Sequence, residues 1–118
     1  MRAFRFWALG DSGTGNNTAR AVRNAFTTWN GSPHTDLVLL LGDNAYNSGL
    51  DNEFQANFFD IYPLTLRNTV VWPTLGNHEA MSADSPTETG PYYNNFTMPT
   101  AGECGGLASG VRRPGQRL

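Results

Sequence analysis

LVLLLGDNAY, Leu37 to Tyr46, is the stretch whose reading decides the fold. Its first five residues are apolar without a break, as in a strand buried on both faces of a parallel sheet. Gly42 and Asp43 then interrupt the run with turn chemistry, and Tyr46 follows. Two further apolar runs lie outward from it, Phe4–Leu9 upstream and Val70–Leu75 downstream. Each of the three runs ends in Leu-Gly and a short polar residue: Leu9-Gly10-Asp11, Leu41-Gly42-Asp43 and Leu75-Gly76-Asn77.

The connecting segments read as helices. In NNTARAVRNAFTTWN, Ala19, Val22, Phe26 and Trp29 fall at helical spacing, with Arg20, Arg23 and Asn24 on other faces. Asn30-Gly31 is the expected stop. In SGLDNEFQANFFDIYPL, Phe54, Phe58, Ile61 and Tyr62 form an apolar stripe. There Ser48 with Asp51 resembles a capping box, and Pro63 marks an end. The order is β-α-β-α-β, an α/β layout with parallel strands and right-handed crossovers. After Glu79 the composition turns to that of a loop.

Successive strand ends lie about one βα unit apart, and open α/β sheets bind ligands outside the carboxyl ends of their strands. Asp11, Asp43 and Asn77 thus arrive at one edge as hard oxygen donors, suited to Mg²⁺, Mn²⁺, Zn²⁺ or iron. Tyr46 and His78 lie close by in sequence. A tyrosine phenolate suits Fe³⁺ better than most divalent ions, because ionising the phenol is costly. Two cations about 3.5–4 Å apart would activate a water and clamp an in-line phosphoryl displacement.

Composition narrows the alternatives. A formal net charge of −2 leaves no basic field for nucleic acid or an anionic membrane. Thirteen glycines and seven prolines in 118 residues make the chain loop-rich. A single cysteine, Cys104, allows neither an internal disulfide nor a cysteine zinc site. No apolar run approaches the roughly 20 residues of a membrane span, and no signal-peptide h-region is visible. All cations are Arg; the absence of Lys rules out a Gly-Lys-Ser/Thr phosphate loop. Gly10, Gly13 and Gly15 have the wrong spacing for a dinucleotide fingerprint.

GDSG, GDNAY and GNHE, in this order and each after a strand, resemble the first three blocks of the calcineurin-like metallophosphoesterases. Tyr46 in the second block, and a first block without His, resemble the purple acid phosphatase branch. PYYNNFTMP and GECGG are similar to the loop that follows in bacterial members. The resemblance implies that Asp11 binds the first metal, Asp43 bridges both, Tyr46 ligates a ferric ion and Asn77 binds the second metal. It implies that His78 contacts the phosphate and protonates the leaving group, oriented through its other ring nitrogen. Glu79 matches the block without a catalytic role of its own, behind the ligands. The implied cofactor is a dinuclear centre of Fe³⁺ with Fe²⁺, Zn²⁺ or Mn²⁺, and the implied substrate is a phosphate ester.

The chain departs from that pattern in its histidines. The family supplies further histidine ligands from later blocks, whereas His34 and His78 are the only ones here, and His34 reads as a surface loop residue. The ligand set is incomplete, with Asp43 and Asn77 alone for the second metal. VRRPGQRL then reads as a non-native or disordered tail over 111–118, after an incomplete metallophosphoesterase domain over 1–110. The expectation is the N-terminal βαβαβ half of a metallophosphoesterase sandwich, weakly active alone and prone to self-association through an exposed sheet edge. A GDS-type serine esterase or lipase using Ser12 is the rival enzyme, but it needs an Asp-x-x-His pair that the chain lacks. A non-catalytic fragment is the other alternative.

Overall fold

The computed structural model describes residues 3–32 and 34–98. The expected tail at 111–118, the end of the 1–110 unit and GECGG lie outside the described residues. Three strands, β1 (Phe6–Leu9), β2 (Leu37–Leu40) and β3 (Val70–Trp72), form one parallel sheet in the order β1-β2-β3. Its register places Phe6 beside Leu37 and Leu37 beside Val70, then Ala8 beside Leu39 and Leu39 beside Trp72. The expected βαβαβ order is therefore the one observed. The strands are shorter than the apolar runs: β1 begins two residues into its run, whereas β2 and β3 stop before theirs end.

Helix α1 (Asn17–Asn30) starts where Asn16 Oδ1 accepts the Ala19 N–H at 3.0 Å, and it stops at Gly31 with φ +62°. Its contact line is Ala19, Arg23 and Phe26, not the expected Ala19, Val22, Phe26 and Trp29. Phe26 stacks on Trp7 of β1 at 3.9 Å between centroids, and Arg23 Nη1 donates to the Ile61 carbonyl at 2.6 Å. That rotation leaves Val22 and Trp29 exposed. A guanidinium reaching a carbonyl of the neighbouring segment, with its stem along the apolar surface, has displaced two hydrophobic side chains from the interface.

The second crossover is broken into pieces. Helix α2 (Asp51–Phe54) runs into a π-helical turn over Gln55–Phe59, and α3 (Pro63–Leu66) follows. Ser48 is not the cap. Leu50 occupies that position, and the Glu53 carboxylate accepts the Leu50, Ser48 and Asn47 N–H groups at 2.9, 2.9 and 2.7 Å. Pro63 opens α3 instead of ending a helix, as its missing N–H costs nothing in a first turn. PYYNN, expected as loop, forms a helical turn, α4 (Pro91–Asn95), because Tyr92 is buried beside Phe96 and Phe96 meets Phe54 edge-on at 5.7 Å.

The core lies on one face of the sheet. Val38 and Leu40 of β2 pack with Phe54, Phe58, Ile61 and Tyr62, and Trp7, Leu9 and Val71 join from the other strands. Strand order 1-2-3 with crossovers of one hand places both helical segments on the same side. The opposite face carries Phe6, Leu37 and Val70 in one row and Ala8, Leu39 and Trp72 in the next. Phe6, Val70 and Trp72 are 59%, 63% and 49% exposed, while Leu37 and Leu39 are half-buried. The continuous LVLLL run is thus apolar for two faces, but among the described residues only one is covered. Phe58→Ala should destabilise the fold by about 3–5 kcal/mol, read from the urea midpoint at unchanged m-value.

Candidate metal centre

Asp11 and Asp43 each close a strand with a left-handed backbone, at φ +53° and +55°. Aspartate tolerates this conformation better than most residues, at a cost of about 1–2 kcal/mol. The conformation turns each chain back across the sheet edge, so that loop one and loop two zip together. Asp11 N–H donates to Gly42 O at 3.1 Å, Gly13 N–H to Asp43 O at 3.1 Å, and Tyr46 N–H to Gly13 O at 2.9 Å. Gly13 is obligatory in this zipper. A Cβ there would lie 2.0 Å from the carbonyl carbon of Asn44.

Three oxygens meet above the seam. The Tyr46 hydroxyl donates to Asp11 Oδ1 at 2.6 Å and lies 3.3 Å from Asp43 Oδ2. Its phenol is held well above the usual tyrosine value, first by the hydrogen bond to Asp11, then by partial burial and the charges of Asp43 and Asp11. Asp11 is exposed, and Asp43 and Tyr46 are half-buried, so the cluster opens to solvent on one side. Among the described residues no group of three or more His, Cys, Asp or Glu side chains gathers; here the third donor is a phenol.

The third loop arrives against Asp43. The His78 N–H donates to Asp43 Oδ1 at 3.2 Å, and a Cβ on Gly76 would come within 2.2 Å of that same oxygen. Asn77 lies between these two residues and is exposed. The His78 ring leans on the Tyr46 ring at 4.2 Å between centroids, and its Nδ1 lies 2.6 Å from the Asn47 carbonyl oxygen. A carbonyl only accepts, so Nδ1 carries a proton and Nε2 is the nitrogen left free. The loop bearing Asn47 is itself held by Glu53, and Asn57 Nδ2 donates to the Tyr46 carbonyl at 2.8 Å.

Asp11, Asp43, Tyr46, Asn77 and His78, all picked from the sequence, therefore share one edge of the sheet. His34 does not join them. It precedes β2 at the opposite end, exposed, 3.9 Å from Asp36. Ser12 is 5% exposed, and its Oγ has no hydrogen-bond partner among the described residues. A serine nucleophile needs a base on its hydroxyl, and no such partner meets Ser12 Oγ among the described residues.

One residue is more deeply engaged than the sequence indicates. Glu79 is fully buried, and its carboxylate accepts Asn44 N–H at 2.7 Å, Ala45 N–H at 2.9 Å, Gly76 N–H at 2.9 Å and Asn44 Nδ2 at 3.2 Å. The only sequence signal was its place directly after His78.

A family model described as calcineurin-like phosphoesterase matches residues 4–113. No curated protein matches the chain. Gly13→Ala should cost about 1–3 kcal/mol by forcing the first two loops apart, seen as a lower thermal midpoint.

Proposed function

This chain belongs to the calcineurin-like phosphoesterase family, and we propose that within it the site is that of a purple acid phosphatase-type phosphomonoesterase. The family's chemistry is metal-dependent phosphoester hydrolysis, generally at two metals. The observation that carries the finer reading is the Tyr46 hydroxyl placed 2.6 Å from Asp11 Oδ1 and 3.3 Å from Asp43 Oδ2. Two carboxylates and a phenol form a hard, anionic donor set that fits a ferric ion. The proton now shared by Tyr46 and Asp11 is the one such an ion displaces.

In this reading Asp11 and Tyr46 would hold the first cation, Asp43 would be shared by both and Asn77 would hold the second. Cations bound there supply Lewis acidity and a nucleophile at neutral pH. His78 presents Nε2 to a phosphate oxygen and to the leaving group, with its ring fixed by Asn47 and Tyr46. The donors fit the first cation well and the second poorly. Among the described residues assigned to it, the second cation would have Asp43 and Asn77.

Fe³⁺ added to the purified chain should give a phenolate charge-transfer absorption that is absent in Tyr46→Phe, with iron affinity reduced more than about ten-fold. An unchanged spectrum in Tyr46→Phe would remove the purple acid phosphatase assignment. For whatever aryl phosphate hydrolysis is measured, His78→Ala should slow it by about 10²-fold or more. Ser12→Ala should leave it within about two-fold, whereas loss of a serine nucleophile costs about 10⁶-fold.

A further inference from the structure

We propose that Glu79 is the positioning residue of this site, fixing the loop that bears Asn77 and His78 to the loop that bears Asp43 and Tyr46. The inference rests on the metal-site reading above and deepens it. Glu79 is fully buried, and its carboxylate oxygens are engaged by N–H donors of the two loops. Its two oxygens divide the work. Oε1 accepts the Asn44 and Ala45 N–H groups, the backbone between Asp43 and Tyr46. Oε2 accepts the Gly76 N–H, directly before Asn77, and Asn44 Nδ2. No cation pairs with the carboxylate among the described residues; oriented N–H groups meet its charge.

The neighbouring contacts make that attachment stiff. A Cβ on Gly76 would lie 2.1 Å from Asp43 N and 2.8 Å from Glu79 Oε2. Gly49 packs as closely from the other side, where an added Cβ would sit 2.6 Å from the Glu79 Cα. The third loop therefore has no room to rock toward Asp43, and the Oε2 bonds keep it from rocking away. The separation of Asp43 from Asn77, on which a shared pair of cations would depend, is held by this carboxylate together with the His78 N–H bond to Asp43 Oδ1.

Glu79→Gln tests this with an asymmetry that general destabilisation would not reproduce. The amide oxygen can keep the Asn44 and Ala45 N–H groups. The amide nitrogen then faces two donors, Gly76 N–H and Asn44 Nδ2, and the third loop alone is released. In the folded variant, hydrogen exchange at Gly76 and His78 should accelerate about ten-fold or more while Ala45 stays near its wild-type rate. Second-site Mn²⁺ binding to the iron-loaded protein should weaken about 10–100-fold, with the tyrosinate–iron absorption retained. Glu79→Gln with wild-type exchange at Gly76 and His78, or with unchanged Mn²⁺ affinity, overturns the proposal. If wild type binds no Mn²⁺ after iron, the dinuclear reading fails instead, and the exchange data still judge the clamp. Should Glu79→Gln not fold, wild type decides: Gly76, outside any strand, must exchange slowly, and a free-peptide rate there overturns the proposal.

Discussion

A carboxylate with no water around it must find donors, and at Glu79 that requirement organises the whole carboxyl edge. Stripping an ionised carboxylate of solvent without partners is prohibitive. Hydrogen bonds from N–H groups to a charged acceptor are worth about 1.5–3 kcal/mol each. The donors that satisfy Glu79 come from the turn after β2 and from the end of the β3 segment. Neither loop can drift without leaving a buried charge short of partners. Asn44 couples the same carboxylate to the Thr74 carbonyl at 3.0 Å, so the anchor extends into the chain leaving β3. On the proposed reading Asp43, Tyr46 and Asn77 are positioned through the backbone that this carboxylate holds.

Strain is concentrated where the chemistry is proposed. Asp11 and Asp43 both hold positive φ, and the loops that follow them are zipped by Gly13 against Asn44 and Gly76 against Asp43. Such backbone costs of order 1–3 kcal/mol per residue and persists only where surroundings over-determine it. Here the surroundings are the aromatic floor of Phe54, Phe58 and Tyr62 beneath, and the Glu79 carboxylate between the loops. Tyr62 links the two levels, since its hydroxyl donates to the Ser12 carbonyl at 3.1 Å. Burial holds that phenol above its ordinary value, against the nearby Arg23 charge.

The strands and the five candidate residues were legible because their signals are local: an apolar run, a Gly, a polar residue, repeated three times. What escaped depends on partners distant in the chain. Arg23 reads as a polar-face residue until the Ile61 carbonyl is seen opposite it. Ser48 looks like a cap until Glu53 takes the loop amides. PYYNN reads as loop by composition, yet Tyr92 and Phe96 find the aromatic cluster and the segment folds on it. Glu79 is the extreme case, because its donors lie as far back as Asn44. An acidic side chain next to a histidine gives no sign of whether it points at solvent or into the core.

The order of the strands explains why the proposed roles fall as they do. Neighbouring strands lie about 4.8 Å apart, so the ends of β1 and β3 are separated by about twice that. Two cations about 3.5–4 Å apart fit between them. On the proposed reading each outer loop would then reach one cation, and only the central strand could serve both. Asp43, at the end of β2, is that residue; its Oδ1 already meets the third loop at His78 N–H, and its Oδ2 the Tyr46 hydroxyl that binds Asp11. The same geometry shows what the edge alone does not provide. All these donors approach from the sheet side, so the outward face of a cation held there would need further ligands. Among the two histidines of the chain, His78 is tied through Nδ1 to Asn47, and His34 stands at the far end of the sheet. On the proposed reading, a row of three strand ends would place and bridge a pair of cations without enclosing them.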